Sequence, residues 1–294
     1  MAKFKASKKR EIKKNEPQVV GNQLIPPAYI AKEYERGLKA LMNQYMAVMR
    51  QALESAETQP NVEAFHSVGD SAWSDYKQRM NKVATDYKSV FIAQARALSE
   101  KLVANVNGVS KVNTDASLEK MGVQMIGRTP DLSTVMQAQV SENVRLITKM
   151  FDEDYTKIDS AVNLSLSSPH QGQQGQKGIF DTLMEVEGMH KSRAELIAKD
   201  QTAKVYTQLN TARMEDAGLE TFRWIHSSAG KTPRPCHVDR DGELYLLKGG
   251  PNELYHVDGT DANNDAGCTK GDFGKPGAAI NCRCRMQPVV SLDS

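Results

Sequence analysis

Five residues with metal-binding or nucleophilic chemistry lie in the last fifth of this 294-residue chain: Cys236, His237, Cys268, Cys282 and Cys284. All four cysteines fall after residue 235. In an extended strand residues i and i+2 face the same side, so Cys282 and Cys284 would aim both sulfurs at one point while Arg283 and Arg285 face away. Two more thiolates, or one thiolate and an imidazole, would complete a tetrahedral zinc site. The candidate ligand set is therefore Cys236, Cys268, Cys282 and Cys284, with His237 as the alternative ligand. A structural zinc would suit residues 230–280, whose apolar content is thin. C-x-C lacks the wrapping loop of the C-x-x-C knuckle. Two other readings therefore stand beside zinc: thiols packed as small hydrophobes, or a disulfide joining Cys236 or Cys268 to one of the pair.

Catalysis by the same residues is the weaker reading. The string CHVDRDG (236–242) holds a nucleophile type, a base type and carboxylates, but a Cys-His catalytic pair usually converges from distant segments. No H-E-x-x-H, P-loop, G-x-S-x-G or zinc-deaminase pattern is present. Asp241-Gly242 is a tight-turn dipeptide, so Asp241 reads as a turn former rather than an acid. His66, His170, His190, His226 and His256 are scattered and read as surface or packing residues.

The elements that must position these residues fall into two textures. After a Pro- and Gly-bearing lead-in (15–27), Ile30, Tyr34, Leu38, Leu41, Tyr45, Met49 and Leu53 form one face of a helix that starts near Pro26-Pro27 and ends before Pro60. Phe65, Trp73, Tyr76, Met80, Val83, Tyr87, Val90, Phe91, Leu98 and Leu102 form a second stripe, with a stop expected near Asn107-Gly108. A third helix follows Pro130 and runs to about Leu166. Residues 167–178 (SSPHQGQQGQKG) carry no large apolar side chain and read as a linker. Beyond it, Ser192 to Glu195 has the form of a capping box opening a helix that Gly218 ends. FRWIH (222–226), ELYLL (243–247) and AINCRCRMQPVV (279–290) read as strands.

The expected architecture is α+β: a long-helix N-terminal bundle or hairpin (28–166), the linker, and a small helix-plus-antiparallel-sheet domain (179–294), preceded by a flexible basic arm (1–27). The charge supports the arm. Lys3, Lys5, Lys8, Lys9, Arg10, Lys13 and Lys14 against Glu11 give residues 1–14 a formal +6, leaving −4 on the other 280 residues of a chain whose total is +2. The arm is a candidate phosphate contact for DNA, or a solvated tail. No apolar h-region follows it, and no apolar run approaches the ~20 residues of a bilayer span. The expectation is a protein folded in a reducing cytoplasm, with no membrane partner.

WIHSSAGKTPRPCHVDRDG (224–242) followed by KPGAAINCRCRMQPVV (275–290) resembles the phage Mu F-like head morphogenesis proteins, the minor head proteins of tailed bacteriophages. The shared pattern is a Trp strand, R-x-x-H-x-x-x-D-G and a terminal P-G…N-C-R-C, which falls on Trp224, Arg234, His237, Asp241, Gly242, Pro276, Gly277, Asn281, Cys282, Arg283 and Cys284. The helix RAELIAKDQTAKVYTQLNTARMEDAGL (193–219) is similar to the family's R-A-x-x-I-A-R-[DE] stretch. Lys199 stands where the family often has Arg, and Lys275 where it often has His. The resemblance implies a low-copy structural component of the virion head, made in the host cytoplasm and placed near the portal vertex. Its partners would be the portal and the major capsid or scaffold proteins, and it would act in capsid assembly and DNA packaging. It implies no catalytic activity and no required cofactor; a metal-dependent or RNase-like nuclease is the alternative. The motif residues have folding duties open to them: an Arg234–Asp241 pair across a turn, His237 tying loop backbone, and the C-x-C strand anchoring the chain end.

Overall fold

The computed structural model describes residues 18–57, 70–123, 130–167, 176–227 and 233–291. Among the described residues the architecture is α+β, with four long helices and a five-stranded antiparallel sheet. Helix α1 spans Ala28–Glu57, α2 Asp70–Lys120, α3 Ser133–Ser167 and α4 Gln176–Asp216. Among the described residues, no helix is long and apolar enough to cross a membrane.

Two compact units are built from discontinuous pieces: Ala28–Ala104 with Gln137–Lys199, and residues 1–27 with Asn105–Met136 and Asp200–Ser294. Most of the expected linker, residues 168–175, lies outside the described residues, and 176–178 belong to α4. The first unit is a helical bundle. The stripe read for α1 is its core face, with Ile30, Tyr34, Leu38, Leu41, Tyr45 and Met49 all buried. Tyr45, Phe91 and Phe151 bring α1, α2 and α3 together, with centroids 4.5 Å (Tyr45–Phe151) and 4.8 Å (Phe91–Phe151) apart. Aromatic pairs at such separations add to the area they bury. His190 is no surface residue: its Nε2 lies 2.6 Å from the buried Asp154 carboxylate, tying α4 to α3.

The second unit holds the sheet, in the order β1-β5-β2-β3-β4. Strand β1 is Gln18–Val20, β2 Thr221–Ile225, β3 Leu244–Leu246, β4 Tyr255–His256 and β5 Arg285–Ser291. The expected arm is thus shorter than 27 residues. Val19 pairs with Val290, Gly21 N–H donates to the Pro288 carbonyl, and Leu24 N–H donates to the Met286 carbonyl. Residues 18–24 cover an edge of β5 that would otherwise expose unpaired backbone. Residues 1–14 lie outside the described residues. Strand β5 is also shorter than read from the sequence, since 279–284 form turns and irregular backbone.

Two helix boundaries differ from expectation. Ser192 does not cap a helix; it lies inside α4, where Glu195 instead pairs with Lys199 one turn on. Helix α2 passes through Asn107-Gly108 because packing supports it there. Asn107 Oδ1 accepts from Arg213 at 2.7 Å, and Ser110 and Thr114 hydroxyls both donate to Asn210 Oδ1, at 2.7 and 2.9 Å. Helix α2 stops at Gly122 and α4 at Gly218, each glycine in the left-handed region, at φ 73° and 81°. At both ends the next residue's N–H reaches back five residues, Val123 to Leu118 and Leu219 to Met214. That closure satisfies orphan carbonyls and demands positive φ.

Gly108 and Gly218 both have open space around a built Cβ, so backbone alone decides the effect of Ala. Gly108→Ala should stabilise by about 0.5–1 kcal/mol, by removing glycine's entropy from a helix interior. Gly218→Ala should destabilise by about 1–2 kcal/mol, the strain of a left-handed L-residue. Urea unfolding of the two variants checks the opposite signs.

Candidate functional site

The motif residues converge on one buried cluster in the sheet-bearing unit. Helix α5, Pro235–Asp239, follows β2, and Pro235 at its first turn fits a position whose N–H needs no partner. The chain then turns at Asp241-Gly242. Gly242 takes φ 79°, its N–H donates to the Trp224 carbonyl, and Trp224 N–H donates to the Glu243 carbonyl. Asp241 Oδ1 accepts from His226 N–H at 2.8 Å. Asp241 is therefore a turn former as expected, and it does not pair with Arg234.

Arg234 and His237 both serve the loop 268–284. Arg234 Nε lies 3.2 Å from Asp272 Oδ1, and its outer nitrogens donate to the Gly271 and Ile280 carbonyls at 3.2 and 2.8 Å. His237 Nε2 donates to the Asp272 carbonyl at 3.2 Å, so it does tie loop backbone. A carbonyl can only accept, so Nε2 carries a proton. Nδ1 lies 3.6 Å from both Cys282 Sγ and Cys284 Sγ, while the ring packs edge-on to Trp224, centroids 5.1 Å apart.

The C-x-C pair precedes β5 rather than lying in it, yet the expected alternation survives: Cys282 and Cys284 are buried and Arg283 is exposed. The Cys284 thiol holds Cys282 well below the usual thiol range by hydrogen bonding to it, against the burial that opposes ionisation, with His237 adding to the lowering. Cys284, left as the donor, is pushed up by that bond and by burial. Gly277 N–H also donates to Cys282 Sγ, at 3.3 Å.

The four-thiolate set is not assembled. Cys236 and Cys268 form a disulfide, Cα atoms 5.1 Å apart, so the bridge joins the two cysteines outside the C-x-C pair rather than reaching into it. Two thiolates of the expected donor set are removed by that bond.

Three residues that sequence reasoning passed over, Arg240, Asp272 and Asp200, hold the cluster together with Lys275, which the sequence marked only as a departure from the resembled pattern. Arg240, 1% exposed, donates to the Asp272 carbonyl at 3.1 Å, the Ala262 carbonyl at 2.8 Å and Cys268 Sγ at 3.3 Å, and lies over the Trp224 ring at 5.2 Å. Burial pushes its pKa down. Asp272 accepts at its carboxylate from the Thr269 N–H and hydroxyl, at 3.0 and 2.7 Å. Its own burial opposes ionisation, but those bonds with Arg234 and His237 hold its pKa low. Asp200 of α4 accepts at 2.7 Å from the N–H of Asn281, which takes the left-handed φ of 60°. Lys275, also 1% exposed, donates from Nζ to the carbonyls of Lys248, Gly249 and Gly250, at 3.3, 2.6 and 3.0 Å.

The P-G pair is explained by close approach. The Pro276 carbonyl accepts from the Thr207 hydroxyl at 2.8 Å, and a Cβ on Gly277 (φ 85°) would sit 3.0 Å from Thr207 Oγ1. The conjunction of Trp strand, R-x-x-H-x-x-x-D-G turn and P-G…N-C-R-C loop against α4 is now a set of contacts.

Residues 156–287 match the family described as phage Mu protein F like protein. The phage Mu F-like stretch starts within α3 and runs into β5, so it contains every cluster residue. The chain is also similar to an uncharacterised protein of Haemophilus influenzae, 22% identical over 286 residues, 94% of this chain and 59% of the relative. It thus spans about three-fifths of that relative's length. No solved structure matches.

Two variants test the cluster's supports. Asp200→Ala leaves the Asn281 N–H without its charged acceptor and should cost about 1–3 kcal/mol in urea unfolding. Lys275 supplies a pH test, because burial pushes its pKa from 10.5 down to about 8. Between those values the unfolded chain binds more protons at this group, so its contribution to stability rises with pH. Wild-type protein should therefore gain stability relative to Lys275→Met on going from pH 8 to 9.5, by on the order of 1–2 kcal/mol. Parallel pH profiles of thermal unfolding read that difference.

Proposed function

We propose that this chain is a minor head protein of a tailed bacteriophage, one that binds the portal and the major capsid or scaffold proteins and acts in head morphogenesis and DNA packaging. The carrying observation is the match of residues 156–287 to the phage Mu protein F like family. Assembly in the host cytoplasm and residence in the head near the portal vertex go with that role.

The state of the motif supports a structural reading over an enzymatic one. Trp224, His237, Arg240, Cys282 and Cys284 are all buried; His237 and Arg240 donate to loop carbonyls, and the Cys282 and Cys284 sulfurs face His237 Nδ1. A nuclease would need His237 presented to a phosphodiester, whereas its Nε2–H is spent on the Asp272 carbonyl and its Nδ1 faces two sulfurs. The helical unit adds exposed apolar side chains, Tyr29, Val90 and Met184, to a surface suited to protein neighbours. The basic arm, formally +6, is the part suited to phosphate.

The test is an inventory of purified proheads and mature heads by mass spectrometry, with the protein expected at a defined low copy number; absence from both overturns the role. Deleting residues 1–14 should remove a log–log salt slope of about −5 from DNA binding, while nuclease assays of wild type and His237→Ala should both read background.

A further inference from the structure

We infer that His237 Nδ1, Cys282 Sγ and Cys284 Sγ form a binding site for one thiophilic divalent cation, zinc by ligand type, and that the Cys236–Cys268 pair is not part of it. The three donor atoms lie within 4.8 Å of one another and all three residues are buried. Both Nδ1···Sγ separations are 3.6 Å. A tetrahedral zinc with ~2.0–2.1 Å bonds to nitrogen and ~2.3 Å bonds to sulfur sets the N···S edge at about 3.6 Å. The spacing found is thus the spacing the ion requires.

The outer contacts are those of a metal ligand as well. A ligating imidazole usually donates its second N–H to a carbonyl or carboxylate, which fixes tautomer and ring plane. His237 Nε2 does this at the Asp272 carbonyl, and Trp224 packs on the ring. Gly277 N–H bonds the Cys282 sulfur, the kind of outer contact that orients a thiolate. Two thiolates and a neutral imidazole would neutralise a dication, which suits a buried site. Zinc takes a fourth ligand, here a water molecule. The ligands come from α5 and from the turn before β5, 45 residues apart for His237 and Cys282, so the ion would cross-link the loop-rich segment where its apolar content is lowest.

The experiment measures metal on the isolated full-length protein, purified in reducing buffer with zinc supplied and then desalted. About one zinc per chain is expected. The Cys236→Ser/Cys268→Ser double variant should keep it, Cys282→Ser/Cys284→Ser should lose it, and His237→Ala should weaken binding at least ~10-fold, with His237→Cys restoring it. Cobalt loading of the wild type gives a readout independent of how the variants fold: a tetrahedral d–d spectrum with a charge-transfer band of two thiolates. No bound metal, loss of the metal with the Cys236/Cys268 double variant, or a four-thiolate cobalt spectrum would each overturn the inference.

Discussion

The backbone of Asp272 is the point on which the C-terminal segment depends. Residues 248–284 contain few large apolar side chains, so burial of hydrocarbon cannot order them, and their backbone groups need partners wherever they leave water. Asp272 supplies the junction. Its carbonyl takes His237 and Arg240, and its carboxylate takes Arg234 and the start of its own 3₁₀ turn at Thr269. Three basic side chains from the 234–240 stretch therefore converge on one residue in the distant loop. In a low-dielectric interior such a network is strong when complete and costly when one member is missing.

Two buried cations extend the same logic. Arg240 and Lys275 are each 1% exposed, and each is solvated mainly by carbonyl oxygens rather than by a carboxylate in direct contact. Lys275 gathers the carbonyls of three successive residues, 248–250, into one point charge. Each cation organises a turn that has no hydrophobic reason to adopt its shape. Depressed pKa values at both are the electrostatic cost of that use. A motif rich in reactive residue types thus does folding work, which is why its chemistry faces inward.

Much of the architecture was legible in the chain. Periodic apolar positions marked α1 because its stripe is the bundle core, and Gly218 marked the end of α4 because only positive φ closes that turn. Asp241-Gly242 read correctly as a turn, and the alternation in C-R-C predicted which side chains would be buried even though the strand begins later. Misreadings came where local signals met long-range packing. Asn107-Gly108 looks like a stop until Arg213 and Asn210 are set against it. Ser192 looks like a cap, but α4 is already helical there. Arg240, between two aspartates in a turn, has the pattern of a surface residue; nothing local reveals that Trp224 and two distant carbonyls enclose it. Lys275 was marked only as a departure from the resembled pattern, and nothing local shows the three carbonyls that enclose its ammonium.

The sequence by itself determined the helix-forming stripes, the antiparallel strands, the turn glycines and the likeness to phage Mu F-like proteins. These depend on residue types at fixed short spacings, which the local geometry of helices, strands and turns converts directly into structure. Tertiary structure alone decided partnership. It made residues 18–24 a covering for β5, joined Cys236 to Cys268, aimed Arg234 at Asp272 rather than Asp241, and set His237 against Cys282 and Cys284. Each of those pairings bridges more than thirty residues of chain, and no spacing rule reaches that far: which cysteine or carboxylate a side chain meets is fixed only when the helices and sheet have packed.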